Sequence, residues 1–127
     1  MGRSLIAFFG RRTYCQLHAF AGFHSVSPCY KYRHGLPGET DEQYVVRLAA
    51  ELEAKFQELG PGTVAAFFLE PIVGASTGCT PSVPGYLLAM REVCDRHGAL
   101  LCFDEVGSSQ LPSELKRWVY VLTSLLE

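Results

Sequence analysis

The chain should fold as an α/β protein around a parallel sheet, and three features of its 127 residues point there. Two unbroken apolar runs, 64–69 and 99–103, have strand length and lack polar alternation, as strands covered on both faces should. A segment of helical period precedes each run, giving the order helix, strand, loop, helix, strand. Both runs end in a carboxylate, Glu70 and Asp104. Ligands of open parallel sheets bind beyond the carboxyl ends of strands, so these two acids point at one crevice.

The first helix should start at Thr40, whose hydroxyl can cap it while Gln43 reaches back in a capping box. Asp41 and Glu42 then fall in the first turn, where the helix dipole favours anions. Val45, Leu48, Ala49, Leu52, Phe56 and Leu59 recur at helical spacing, and Gly60-Pro61-Gly62 stops the run. After the strand at 64–69, residues 72–83 read as a loop rich in Gly, Ser, Thr and Pro. Pro84 suits the first position of a second helix, with Leu87, Met90 and Cys94 on its buried side and Gly98 at its end. The strand at 99–103 follows at once. Residues 1–38 carry turn signals but no sustained period, whereas Leu115, Trp118, Val119, Leu122, Leu125 and Leu126 make an amphipathic pattern that Ser113 could cap.

A hydrophobic content of 48% and a formal charge of −2 suit a globular chain with no general attraction to nucleic acid or anionic membrane. No stretch is long and apolar enough to span a bilayer, and a soluble, cytoplasmic protein is expected. Residues 1–38 hold Arg3, Arg11, Arg12, Lys31 and Arg33 but no acid, so a mitochondrial location is the alternative. Five cysteines without Cys-x-x-Cys spacing argue against a disulfide framework or a zinc site; Cys94 and Cys102 read as small core residues. His18, His24, His34 and His97 lack ligand spacing and are expected at the surface or in turns.

An apolar strand ending in Asp-Glu serves two chemistries. In a P-loop nucleotidase it reaches a metal–nucleotide, but that fold needs a Gly-Lys-Ser or Gly-Lys-Thr loop, and none of Lys31, Lys55 and Lys116 follows a glycine. In a pyridoxal-phosphate site the carboxylate instead keeps the ring nitrogen protonated, because an opposite charge favours the ionised pair. The positive ring then acts as an electron sink. Val106, two residues beyond Asp104, returns to the same side and could pack on such a ring. Asp104 needs a partner at the end of a buried strand, whereas Glu70 could equally cap backbone groups and Glu105 could be a solvated acid.

The stretch "VAAFFLEPIVGASTGCTPSVPGYLLAMREVCDRHGALLCFDEV", residues 64–106, resembles the large domain of class III pyridoxal-phosphate aminotransferases. So do "FHSVSPCYKYR" and "ETDEQYVVRLAAELEAKFQELGPGTVAAF" before it. The resemblance rests on the Glu-Pro strand end, the Pro-Gly-Tyr helix start, the Arg-His-Gly-Ala turn and the Phe-Asp-Glu-Val strand end together. It implies part of the three-layer, parallel-sheet large domain of the type I fold of pyridoxal-phosphate-dependent transferases. The chain then divides into a poorly matched segment 1–22, a large-domain core 23–106 and a divergent, helical segment 107–127. Carried over by position, it also implies pyridoxal 5'-phosphate as cofactor, with Asp104 on the ring nitrogen, Val106 against the ring and Glu70 in the nearby polar network. "RRTY" at 11–14 resembles the segment before the family's stacking aromatic, which makes Tyr14 a candidate, although Cys15-Gln16 replaces the family's His-Gly. Ala75 occupies the place where branches acting on ornithine or γ-aminobutyrate carry an acid, which argues against those branches.

Several family parts have no counterpart in these residues. The family's lysine, which holds the cofactor as a Schiff base and moves the substrate's proton, lies on a later strand. Lys116 follows Asp104 too soon, "GSSQLPSELKRWVYVLTSLLE" does not resemble the family's continuation, and residues 1–22 hold no glycine-rich phosphate loop. Ring packing adds about 1 kcal/mol beyond buried area, and an ion pair near solvent under about 1 kcal/mol. The expectation is a fragment of an aminotransferase, related to enzymes that exchange an amino group between an amine or amino acid and an oxo acid, with weak cofactor binding and no activity alone. The alternatives are an interaction protein docking on a full-length relative, in a homo- or hetero-dimer, or a gene remnant.

Overall fold

The computed structural model describes residues 4–7, as backbone alone, together with 22–74 and 77–104. Its elements in chain order are β1 (Ser4–Ala7), β2 (Phe23–Ser25), α1 (Lys31–His34), α2 (Asp41–Leu59), β3 (Val64–Leu69), β4 (Ile72–Val73), β5 (Thr80–Pro81), α3 (Tyr86–His97) and β6 (Leu100–Phe103). Four of the strands form one sheet in the order β2-β1-β3-β6. All three pairings are parallel, so the expected α/β class with a parallel sheet holds. The segment without sustained period thus supplies two strands. Three or four residues are too few to show a period, and β1 and β2 are recognisable only by their pairing.

Helix α2 forms where the capping box places it. The Gln43 N–H donates to Thr40 Oγ1 at 3.2 Å, and the Thr40 N–H donates to Gln43 Oε1 at 3.0 Å. Gly60 ends the helix at φ 91°, a conformation that a side chain would resist. Val45, Leu48, Leu52 and Phe56 are buried as expected, and Tyr44, outside the expected stripe, is fully buried as well. The Tyr44 hydroxyl donates to the Pro28 carbonyl at 2.8 Å and accepts from the Tyr30 N–H at 3.0 Å. Glu51 accepts from the Ser27 N–H at 2.8 Å, so α2 pins the whole turn after β2.

Helix α3 begins at Tyr86 rather than at Pro84. Pro84 and Gly85 lie in a turn, and Gly85 caps the helix in a left-handed conformation at φ 83°. Tyr86, Met90, Val93 and Cys94 are its buried side, with Leu87 partly buried against the same core, and Gly98 closes it at φ 64°. Two side chains tie α3 to α2. Glu53 accepts from Arg96 Nη2 at 2.9 Å and lies 2.7 Å from His97 Nε2, while the His97 ring stacks on Phe56 with centroids 4.5 Å apart. His97 is therefore a packed helix-end residue and His24 lies within β2, whereas His34 is exposed as expected.

Phe67 and Leu69 of β3 enter the core shared with both helices, and Leu101 and Phe103 of β6 pack against it. Val64 joins the same core, and Ala66, outside that cluster, is buried as well, so this strand is covered as its composition requires. On β6, however, Leu100 is 63% exposed. Among the described residues both long helices meet the face of Phe67 and Leu69, so two of the three expected layers are described. No described helix is long and apolar enough to cross a membrane.

Candidate functional site

Glu70 and Asp104 leave the sheet side by side. Strands β3 and β6 are neighbours in register, with Leu69 opposite Phe103, and the Asp104 N–H donates to the Leu69 carbonyl at 2.8 Å. Each carboxylate is thus the first residue beyond its strand, and each is half-buried. The sheet order sharpens the location. From β1 the chain moves one way to β2, and from β3 it moves the other way to β6. The order reverses between β1 and β3, and the crevice beyond the carboxyl ends at such a reversal is where open α/β sheets bind ligands. Glu70 stands at that reversal and Asp104 one strand away.

The loop expected over 72–83 contains a small antiparallel ribbon, β4 against β5, rising from the same end of the sheet. Paired strands of two residues carry no period that a sequence could display. Glu70 Oε2 accepts from the Gly74 N–H at 3.3 Å, and the Pro71 carbonyl accepts from both the Ser82 N–H at 3.1 Å and its hydroxyl at 2.9 Å. Glu70 therefore does cap backbone at its strand end. The hydroxyls of Thr77 and Thr80 donate to the carbonyls of Val73 and Thr77, which closes the ribbon's turn. Composition marks these residues as loop, and only their pairing reveals Ser82 opposite Pro71 at the ribbon's base and Gly74 at its turn end.

The described lysines lie elsewhere. Lys31 pairs with Asp41 at the start of α2, and Lys55 pairs with Glu58 near its end. The described cysteines are free. Burial pushes the Cys29 thiol up to about 11, opposed by hydrogen bonds from Val83 and Ser82, and the Cys94 thiol up to about 12. Burial raises Cys102 as well. Cys94 is buried as expected, whereas Cys102 is only half-buried. No group of three or more His, Cys, Asp or Glu side chains among the described residues could hold a metal. Of the four sequence-predicted site residues, the structure brings Asp104 and Glu70 together; Val106 and Tyr14 lie outside the described residues. So do Ala75, Glu105, Lys116, His18 and the amphipathic stretch 113–126.

Comparison with known proteins finds aminotransferases. The family model for aminotransferase class-III matches residues 15–109. An uncharacterized aminotransferase of Schizosaccharomyces pombe is 54% identical over 83 residues, which are 65% of this chain and 18% of that protein. Among solved structures, an omega-transferase from Vibrio fluvialis superimposes with a TM-score of 0.71 at 30% identity, over 83% of this chain and 28% of that one. The PMP-bound form of an aminotransferase from Vibrio fluvialis gives a TM-score of 0.70 at 30% identity, over 81% and 26%. The chain spans less than a third of the length of each of these relatives.

Proposed function

The chain belongs to the class-III aminotransferase family, and from that premise we propose that it carries one wall of a pyridoxal-phosphate site. Members of that family are transaminases acting on amine and oxo acid substrates, and the family uses pyridoxal phosphate. The observation that carries the reading is the juxtaposition of Glu70 and Asp104 at neighbouring strand ends, beside the reversal of strand order. Two half-buried carboxylates suit a cationic ring better than an anionic or neutral ligand. When bound, the cofactor supplies an electron sink for the carbanion left by loss of a substrate α-proton.

In this reading Asp104 would hold the proton on the ring nitrogen, and the bond from its own amide to Leu69 ties its backbone to the end of β3. Glu70 would add negative potential at the same end, and the family resemblance gives Val106 and Tyr14 as the residues that would meet the ring. The two described lysines are engaged in ion pairs on α1 and α2, away from the strand ends, and Lys116 is not assigned the proton-moving role. The 127 residues by themselves therefore have the ring-nitrogen partner without the catalytic amine, and they bind the cofactor weakly and turn nothing over. A non-catalytic role as a docking partner of a full-length relative is the second reading, favoured by exposed Leu100 on β6, which ends the described sheet. Incubating the chain with pyridoxal phosphate, an amine donor and an oxo acid should yield no product amino acid; steady turnover would overturn the division.

A further inference from the structure

We propose that Glu70 is a positioning residue, acting through the ribbon that rises beside Asp104. Three bonds hold the ribbon at the end of β3. Glu70 Oε2 accepts from the Gly74 N–H and so spans the outgoing strand β4, and the Pro71 carbonyl takes both donors of Ser82, which joins the outgoing and returning strands at the ribbon's base. Ser82 is in turn tied to the turn after β2, because the Cys29 thiol lies against Ser82 and Val83. The ribbon leaves from the same end of the sheet as Asp104, whose own amide is held by Leu69, the residue before Glu70. Any shift of Glu70 is therefore felt by both the ribbon and the strand end that carries Asp104. Glu70 needs only an acceptor oxygen to do this. A charge is not required, which separates positioning from direct electrostatic work on a ligand.

That the ribbon walls a cofactor crevice rests on the function proposed above, but the clamp can be read with no cofactor present. Hydrogen–deuterium exchange of the full 127-residue chain, wild type, Glu70→Ala and Glu70→Gln, reports the amides of Gly74 and Ser82 directly. Loss of the acceptor in Glu70→Ala should quicken both amides about tenfold, with α2 amides such as Leu48 and Leu52 unchanged. The amide oxygen of Glu70→Gln should restore both to within about twofold of wild type. Quickening of Gly74 alone would reduce Glu70 to a local cap and overturn the proposal. Equal effects of the two variants would overturn the acceptor role, and a uniform rise including α2 would assign Glu70 to global stability instead. Titrating the same three proteins with pyridoxamine phosphate tests the function separately, since no binding by wild type would leave the exchange result intact.

Discussion

Tyr44 shows how much a single side chain can organise. Its ring is buried in the core, and its hydroxyl holds Pro28 and Tyr30 at once. Burial raises the phenol's pKa, so the hydroxyl keeps the proton it donates. Tyr44→Phe keeps the ring and strands a carbonyl and an amide that are only partly hydrated. The expected loss is about 1–3 kcal/mol, read as a lower urea midpoint at constant slope. An unchanged midpoint would mean that water replaces the hydroxyl without cost. The sequence could not announce this role, because Tyr44 sits beside the apolar stripe and its partners are backbone atoms of a distant turn. Asp104 is the opposite case, since an acid ending a buried run is visible without any structure.

At the scale of elements, legibility followed length. Helix α2 was readable through its capping box and stripe, and β3 and β6 through their apolar runs. Strands β1, β2, β4 and β5 were not, because two to four residues give no period and their identity lies in their partners. The sequence suits a start of α3 at Pro84, because proline fits the first helical turn as well as the turn before it, and here Gly85 caps the helix instead. Its end was clear from Gly98. At φ 64° with no atom within 4 Å of an added Cβ, Gly98 matters for backbone freedom and not for space. Gly98→Ala should therefore cost about 1 kcal/mol, measured by thermal or urea unfolding. A cost near zero would show that the turn relaxes, and with it the connection into β6.

At the scale of the whole molecule, two surface ion pairs hold carboxylates well below their ordinary range, a modest contribution because solvent screens them. Arg47 donates to both oxygens of Glu39, chiefly through hydrogen bonding, and holds it near about 2. Arg96, then His97, do the same for Glu53, also to about 2. Because both values fall below the ordinary 4.5, the unfolded chain binds more protons than the folded one in between. The stabilisation is complete above the ordinary carboxylate range and is lost as pH falls toward the folded values. Urea midpoints should drop between about pH 5 and about pH 2.5, and Glu53→Gln should flatten that dependence. A midpoint indifferent to pH over that span would show both pairs to be equally satisfied in the unfolded chain.

At the same scale stands the proposed delivery of Asp104 by two strands to a pyridinium ring. Pyridoxamine phosphate is the probe of choice, because it has no aldehyde to react with surface lysines. A nitrogen-15 amide-shift titration of wild type and Asp104→Ala reads both location and affinity. Wild type should show saturable binding of about millimolar strength, with shifts centred on residues around Glu70 and Asp104. Asp104→Ala should weaken it by about tenfold. Equal affinity in the two proteins, or shifts confined to surfaces away from the ends of β3 and β6, would contradict it.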